Sequence, residues 1–303
     1  MENFSLESIS SQKGKVAIVT GANNGIGFET ALALAKKKAT VILACRSLAK
    51  AQKAMSEILP KVPDADLEIL LVDLMSLESV RAFAKEFSKK YDRLDFLIAN
   101  AGIMMPPFQI TKDGFESQFG VNFLAHFVLV KRLFPILKTT LGSRVVMLSS
   151  LAHKNAKIDF TNLNAEKNYS TWKVYGQSKL ACLIFAYELQ RRIEDNGLKL
   201  KSLAAHPGFS STNLGHLLPS VGAKLFAPFA SFIGQDAKAG ALPILQAALD
   251  PSANGGEYFG PSGFKEIKGL PKVVSSSSRS HDLLVASKLW TAAEEMTHEK
   301  FEI

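Results

Sequence analysis

The sequence predicts an α/β fold, a single doubly wound parallel sheet with helices on both faces, on three observations. From residue 15 onward, short β-branched runs alternate with longer stretches of helical period. Those runs are apolar throughout instead of alternating apolar and polar, as strands covered on both faces are. The first of them passes directly into a glycine-rich turn and a helix, TGANNGIG at residues 20–27, the start of a strand–helix–strand unit. With 303 residues, 47% of them hydrophobic, the chain can bury one large core, so residues 1–303 are read as one domain with a short N-terminal extension at 1–13.

The elements follow in order. KVAIVT at 15–20 is the first strand, and its helix runs to about Lys38. TVILAC at 40–45 precedes a helix over about 48–59, and LEILLV at 67–72 precedes one over about 76–90. LDFLIAN at 94–100 leads to a long helix over about 114–138, which DGFE at 113–116 could open as a variant capping box. SRVVMLSS at 143–150 comes before the helix that carries Tyr175, and LKLKSLAAH at 198–206 and a short GEYFG at 256–260 complete the strands. SSSSRS at 275–280 is a loop into a terminal amphipathic helix, HDLLVASKLWTAAEEM. No internal repeat or linker interrupts the series.

Composition narrows the function classes. Cys45 and Cys182 match no metal or redox spacing, so both read as buried thiols of a reducing compartment, and no metal site is expected. MENFSLESISSQKGK lacks the basic-then-apolar order of a signal peptide, and no uncharged apolar run approaches membrane-spanning length. A soluble, cytoplasmic protein without a stable membrane span is the expectation. The least polar irregular stretch, VGAKLFAPFASFIG at 221–234, is broken by Lys224 and Pro228 and reads as a substrate flap within a segment at about 209–235. The formal charge of +8 raises the question of an anionic partner. The lysines, however, are spread over many helices without a nucleic-acid motif, so a phosphate-bearing small molecule and a solvated basic surface account for the charge, and no nucleic-acid partner is expected.

In a doubly wound sheet, ligands sit beyond the carboxyl ends of the strands where the strand order reverses. The first such end carries Gly21, Asn23, Asn24, Gly25, Ile26 and Gly27. Glycines there allow a sharp turn and close approach, and the helix N-terminus offers free amides and partial positive charge to a pyrophosphate. Three glycines at this spacing also serve a plain turn; the placement between strand and helix favours the cradle. An NAD site places a carboxylate at the end of the second strand, whereas a 2′-phosphate needs a cation. The sequence there is ACRS, so Arg46 is the candidate grip for the phosphate of NADP(H), against the alternative of a surface arginine at a strand end. Asp73, with Leu74 beside it, is placed on the adenine side, and a helix-capping role for Asp73 stays open.

YGQSK at 175–179 puts a phenol and an ammonium four residues apart, on one helix face. With this pair, TGANNGIG, ANAG at 99–102, Asn122 in GVNFLAHF and the serines at 149 and 150, the chain resembles the short-chain dehydrogenase/reductase family over nearly its whole length. It looks most like the retinol dehydrogenase and protochlorophyllide reductase-like branch, on ACRS, the long segment between serine and tyrosine, and AAHPGFSSTNL.

The resemblance implies a Rossmann-type oxidoreductase that moves a hydride between NADP(H) and a carbonyl or alcohol, with a hydrophobic small molecule as substrate. Tyr175 would be the general acid or base. Bringing a phenol from a pKa of about 10 to neutrality takes roughly 4 kcal/mol of preferential phenolate stabilisation, which the Lys179 ammonium and an oxidised nicotinamide can supply. Lys179 would also hold the cofactor ribose. Neighbouring strand residues face opposite ways, so Ser149 and Ser150 cannot both point into the cleft; the resemblance selects Ser150 for the substrate oxygen. It gives mid-helix Asn122 a water-holding role in a proton relay, Asn100, Ala101 and Gly102 the nicotinamide side, and Pro207, Gly208 and Thr212 the carboxamide and pyrophosphate region. His206 reads as structural. The resemblance also leaves open a homodimer or homotetramer paired through the two long helices. The rival reading is a dinucleotide-binding regulatory or scaffold protein without catalysis, in which the reacting residues drift while the cradle persists.

Overall fold

A computed structural model of the chain describes residues 4–209 and 235–303; Thr212 and the expected flap at 221–234 lie outside them. The strands are β1 (Val16–Thr20), β2 (Thr40–Cys45), β3 (Leu67–Leu71), β4 (Phe96–Ala99), β5 (Arg144–Leu148), β6 (Lys201–Ala205), β7 (Tyr258–Pro261) and β8 (Pro271–Val273). They form one sheet in the order β3-β2-β1-β4-β5-β6-β7-β8, parallel except for the β7–β8 pair. The helices are α1 (Gly25–Lys36), α2 (Leu48–Ile58), α3 (Leu77–Lys90), α4 (Ser117–Thr139), α5 (Thr171–Asp195), α6 (Ala237–Leu249) and α7 (Leu283–Thr297). This is the doubly wound α/β architecture expected from the sequence.

The uninterrupted apolar strands follow from burial on both faces. Ile18, Ile42, Leu97, Val145 and Ala204 point to the layer of α3, α4, α5 and α7. Their neighbours Ala17, Val41, Ile98, Val146 and Leu203 point to the layer of α1, α2 and α6. Alternate side chains of each strand thus feed two separate cores. Five of the described helices begin on side-chain caps: Ser47 accepts from the Lys50 N–H, Ser76 from that of Ser79, Glu116 from that of Phe119, Asp236 from that of Ala239, and Asp282 from those of Leu284 and Val285.

Two local expectations are corrected. Helix α4 starts at Ser117, capped by the carboxylate of Glu116 at 2.8 Å from the Phe119 N–H, while Asp113 accepts instead from the Leu77 N–H of α3, also at 2.8 Å. The intervening residues close a turn through the Ile110–Glu116 bridge, which takes DGFE out of the helix. Helix α6 and strand β8 are not among the expected elements. Gly240 and Pro243 break the helical pattern of AKAGALPILQAAL, and β8 is three residues long, too short to register as a period. Helix α4 is apolar over 23 residues, long enough by length and composition to cross a bilayer, but it includes Lys131 and Arg132 and its apolar surface is spent on the core.

The face of α4 and α5 that could pair with a second chain carries the C-terminus of this one. Trp290 of α7 stacks on Phe185 of α5 at 5.6 Å and on Phe301 at 4.9 Å, and Phe301 meets Phe127 and Phe134 of α4 edge-on. Glu299, 2% exposed, fastens this strap to Arg81, Lys131 and Arg132. Pairing through the two long helices would therefore have to displace the strap. If the strap is part of the folding unit, Trp290→Ala should lower stability by about 3–5 kcal/mol, as truncation of a buried aromatic does. Urea unfolding measures this; a loss below about 1 kcal/mol would show that α7 docks onto an already stable core.

Candidate active site

Strand order reverses between β1 and β4, and the cavity lies beyond their carboxyl ends. It has a volume of about 370 Å³ and is lined by Gly21, Asn23, Asn24, Gly25, Ile26, Gly27, Asn100, Ala101, Gly102, Ser150, Tyr175, Lys179, Pro207 and Gly208 among the expected residues. Segments up to 187 residues apart in sequence converge there because parallel strands end on the same side. Arg46, Asp73, Leu74 and Asn122 do not line it. Arg46 is exposed at the end of β2, Leu74 is buried in the core, and Asp73 uses one carboxylate oxygen to accept from the Met75 N–H at 3.1 Å. The cap of α3 is Ser76, so the helix-capping alternative for Asp73 is not what the structure adopts.

The cradle is shaped by close approach. Gly21 has φ +69°, where glycine is favoured, and a Cβ on Gly27 would overlap the Gly21 carbonyl oxygen and the Asn100 amide. Helix α1 begins at Asn24 without a side-chain cap and with no acidic residue in its first turn. Its leading N–H groups therefore face the cavity with neither a side-chain acceptor nor a carboxylate in competition. Beneath the turn, Cys45 is buried, and burial pushes its thiol up to about 11.

A buried polar junction joins this turn to the rest of the site. Asn100 donates to the Thr20 carbonyl at 2.8 Å, and the Thr20 hydroxyl accepts from the Ala101 N–H at 2.9 Å. His126 lies 3.0 Å from that hydroxyl through Nε2 and 3.0 Å from the Asn122 carbonyl through Nδ1. A carbonyl can only accept, so Nδ1 carries the proton and Nε2 accepts from Thr20. Burial pushes His126 down to about 4, which keeps this neutral tautomer in place.

Asn122 sits in a π turn, Gly120–Leu124, within α4, the kind of widened turn that recurs at functional positions. Its amide both accepts from the Ile103 N–H at 2.8 Å and donates to the Ile103 carbonyl at 3.0 Å and to Ser178 at 2.9 Å. The mid-helix asparagine thus clasps the loop after β4 against α5. Lys179, 4% exposed, donates to the Leu148 carbonyl at 3.0 Å, and a Cβ on Gly102 would come within 3.2 Å of its Nζ. The Ser149 hydroxyl is committed to the Lys179 carbonyl at 2.8 Å. Both serines line the cavity; Ser150 is partly exposed and caps the 3-10 turn Leu151–Asn155. Tyr175 is 7% exposed, with the Trp172 ring 6.3 Å away.

One group at the site gives no sequence signal. Glu266 bonds His206 Nε2 at 3.0 Å and Lys154 Nζ at 2.7 Å, across separations of 60 and 112 residues. His206, fully buried, accepts from the Gly208 N–H at 3.2 Å, so Glu266 braces both the Pro207–Gly208 wall and the turn that Ser150 caps. It does so from a left-handed backbone, with Lys265 at φ +50° and Glu266 at +58°, a conformation held against local preference. Burial alone would raise Glu266; its bonds to His206 and Lys154 outweigh that and hold it down at about 2.

A sequence profile of the short chain dehydrogenase family matches residues 15–220. Retinol dehydrogenase 14 of Mus musculus is 39% identical over 297 residues, covering 93% of this chain and 86% of that protein. Retinol dehydrogenase 12 of Mus musculus is 39% identical over 285 residues, with the same coverage. A crystal structure of an uncharacterized protein from Mycobacterium paratuberculosis superposes with a TM-score of 0.83 at 37% identity, covering all of both chains.

The buried histidines set an acid limit. His126 and His153 are each pushed down to about 4 by burial, so the unfolded chain binds protons that the folded chain does not. Stability should be full above an imidazole's ordinary pKa of about 6.5 and fall toward pH 4, by up to about 1 kcal/mol per pH unit for each histidine. Glu266, also lowered, adds a loss of the same sign below its ordinary pKa. Urea unfolding between pH 7 and pH 4 tests this, and a flat profile would contradict the assigned neutral histidines.

Proposed function

The chain belongs to the short chain dehydrogenase family, on its retinol dehydrogenase-like branch, and from that premise we propose that it is an NADP(H)-dependent oxidoreductase acting on the carbonyl or alcohol of a hydrophobic small molecule. The observation that carries the reading is the convergence of Ser150, Tyr175 and Lys179 with the glycine cradle on one cavity. The uncapped N-terminus of α1 fits a pyrophosphate, with donors and no nearby first-turn carboxylate. Residues 21–27 would hold the phosphates, Asn100 to Gly102 and Pro207–Gly208 the nicotinamide end, and Lys179 the ribose. A bound dinucleotide would supply or accept the hydride.

The protein's own residues handle the proton. Ser150 orients the substrate oxygen by hydrogen bonding, and Tyr175 delivers a proton to that oxygen in reduction or removes one in oxidation. Lys179 lowers the cost of the phenolate through its positive charge. It is itself fixed by the Leu148 carbonyl and lies, with the Asn122 amide, on the same side of Gly102. Asn122 would hold the water that links Lys179 to solvent. Arg46 stands exposed at the end of β2, free to meet a 2′-phosphate where a carboxylate would repel it. Retention of all four reacting residues disfavours the non-catalytic scaffold reading, as does the order of their surroundings.

Tyr175→Phe should keep NADPH affinity within about twofold while turnover of an aldehyde falls by at least 10²-fold, the range expected for loss of a general acid. Fluorescence titration and nicotinamide absorbance report the two quantities; equal losses in both would refute the assigned role. Arg46→Asp should invert the preference between NADPH and NADH, with an unchanged kcat/KM ratio counting against the phosphate grip.

A further inference from the structure

A second cavity, of about 410 Å³, shares Ala152 and Trp172 with the first as common lining. Its walls come from the long segment between Ser150 and Tyr175 and from the first turns of α5. Side chains, rather than regular structure, hold that segment. Gln177 accepts from the Asp159 N–H at 2.8 Å and donates to the Leu163 carbonyl at 3.3 Å. Asn162 donates to the Lys167 carbonyl at 2.7 Å and accepts from its N–H at 3.2 Å. Asn164 binds the Glu116 N–H and the Gly114 carbonyl, tying the segment to the turn before α4. The cavity is therefore a built feature of the fold and not a gap beneath a loose loop.

Its charge is one-sided. Lys157, Lys167, Lys173 and Arg279 line it against a single carboxylate, Asp159. That carboxylate already accepts from the N–H and hydroxyl of Thr161, and none of the four cations makes an ion pair among the described residues. Arg279 donates to the Ala156 carbonyl at 3.1 Å, which sets its guanidinium at the wall. Asp159, on which Lys157 acts electrostatically, offsets one of the four charges and leaves an excess of three, and an anion placed among them relieves the remaining repulsion while gaining charge-assisted hydrogen bonds. Trp172, 53% exposed, is the apolar surface common to this cavity and the one holding Tyr175.

We propose that the second cavity is a subsite for the carboxylate end of an elongated apolar substrate whose carbonyl lies at Tyr175. The assignment rests on the oxidoreductase reading and narrows it to oxo acids or hydroxy acids, with the acid group remote from the reacting carbon. Nothing is transferred at the subsite; it selects and orients the substrate.

The test compares NADPH-dependent reduction of an ω-oxo fatty acid with that of its methyl ester. The acid should show a kcat/KM about tenfold higher, the equivalent of one charge-assisted contact. Lys157→Glu combined with Lys173→Glu should abolish that preference and leave the ester unchanged. Equal values for acid and ester, or a preference that survives charge reversal, would overturn the subsite and spare the oxidoreductase reading. Failure to turn over either substrate by protein that binds NADPH would overturn both. Should the double variant not fold, Lys157→Gln and the fluorescence of Trp172, with Trp172→Phe as blank, decide the matter. Quenching by the acid and not by the ester supports the subsite, and equal or absent quenching refutes it. Acetate that quenches as well as the long acid would mark a free-anion site without a substrate tail and would also refute it.

Discussion

The site depends on a buried polar junction where β1 and β4 diverge. Three side chains, Thr20, Asn100 and Asn122, are hydrogen-bonded to main-chain groups of neighbouring segments, and His126 closes the set between Thr20 and Asn122. Buried polar groups of this kind must all be paired or each costs about 1–3 kcal/mol. Here every bond also fixes a cavity wall: the cradle turn, the loop after β4, and, through Asn122 and Ser178, helix α5. Satisfying the polar groups and positioning the cleft are one and the same arrangement.

A second brace works on the opposite wall. Glu266 is held in a strained left-handed turn and reaches His206 under the Pro207–Gly208 loop and Lys154 on the turn after Ser150. The strand β7 beside it must carry Gly260, because a Cβ there would overlap the His206 ring. Tyr175 and Lys179 owe their own placement to a long, buried helix. A phenol and an ammonium held on a buried helix lose little freedom on meeting a ligand, which is the condition the proposed proton transfer would need.

The C-terminal strap and the long segment before Tyr175 individualise this fold. The strap packs Trp290 and Phe301 against α4 and α5 and locks Glu299 among three cations. The long segment builds a basic cavity beside the one that holds Tyr175 from Gln177, Asn162 and Asn164 contacts. Both additions lie on the α5 side of the sheet, so the features that separate this chain from a minimal doubly wound domain cluster around the helix that carries Tyr175 and Lys179.

Much of this was legible in the amino-acid order. The continuous apolar runs of β1, β2, β4 and β5 announce strands buried on two faces. TGANNGIG marks the glycine turn that lines the cavity, and the four-residue spacing of Tyr175 and Lys179 places them on one helix face, because these signals are local and periodic. The start of α4 was not legible, since whether Asp113 or Glu116 caps it depends on a turn closed by Thr111 and Phe115 and on the distant N–H of Leu77. Helix α6 was hidden by Gly240 and Pro243, which tertiary burial against α1 tolerates. Nor was it legible that the Ser149 hydroxyl bonds the carbonyl of Lys179, 30 residues away, or that the brace at Glu266 finds partners 60 and 112 residues away. Local sequence sets what each segment prefers. Which buried polar group finds which partner is decided only when the sheet has brought remote segments together, because an unpaired group in the interior is too costly to leave and its partner is specified by space and not by sequence distance.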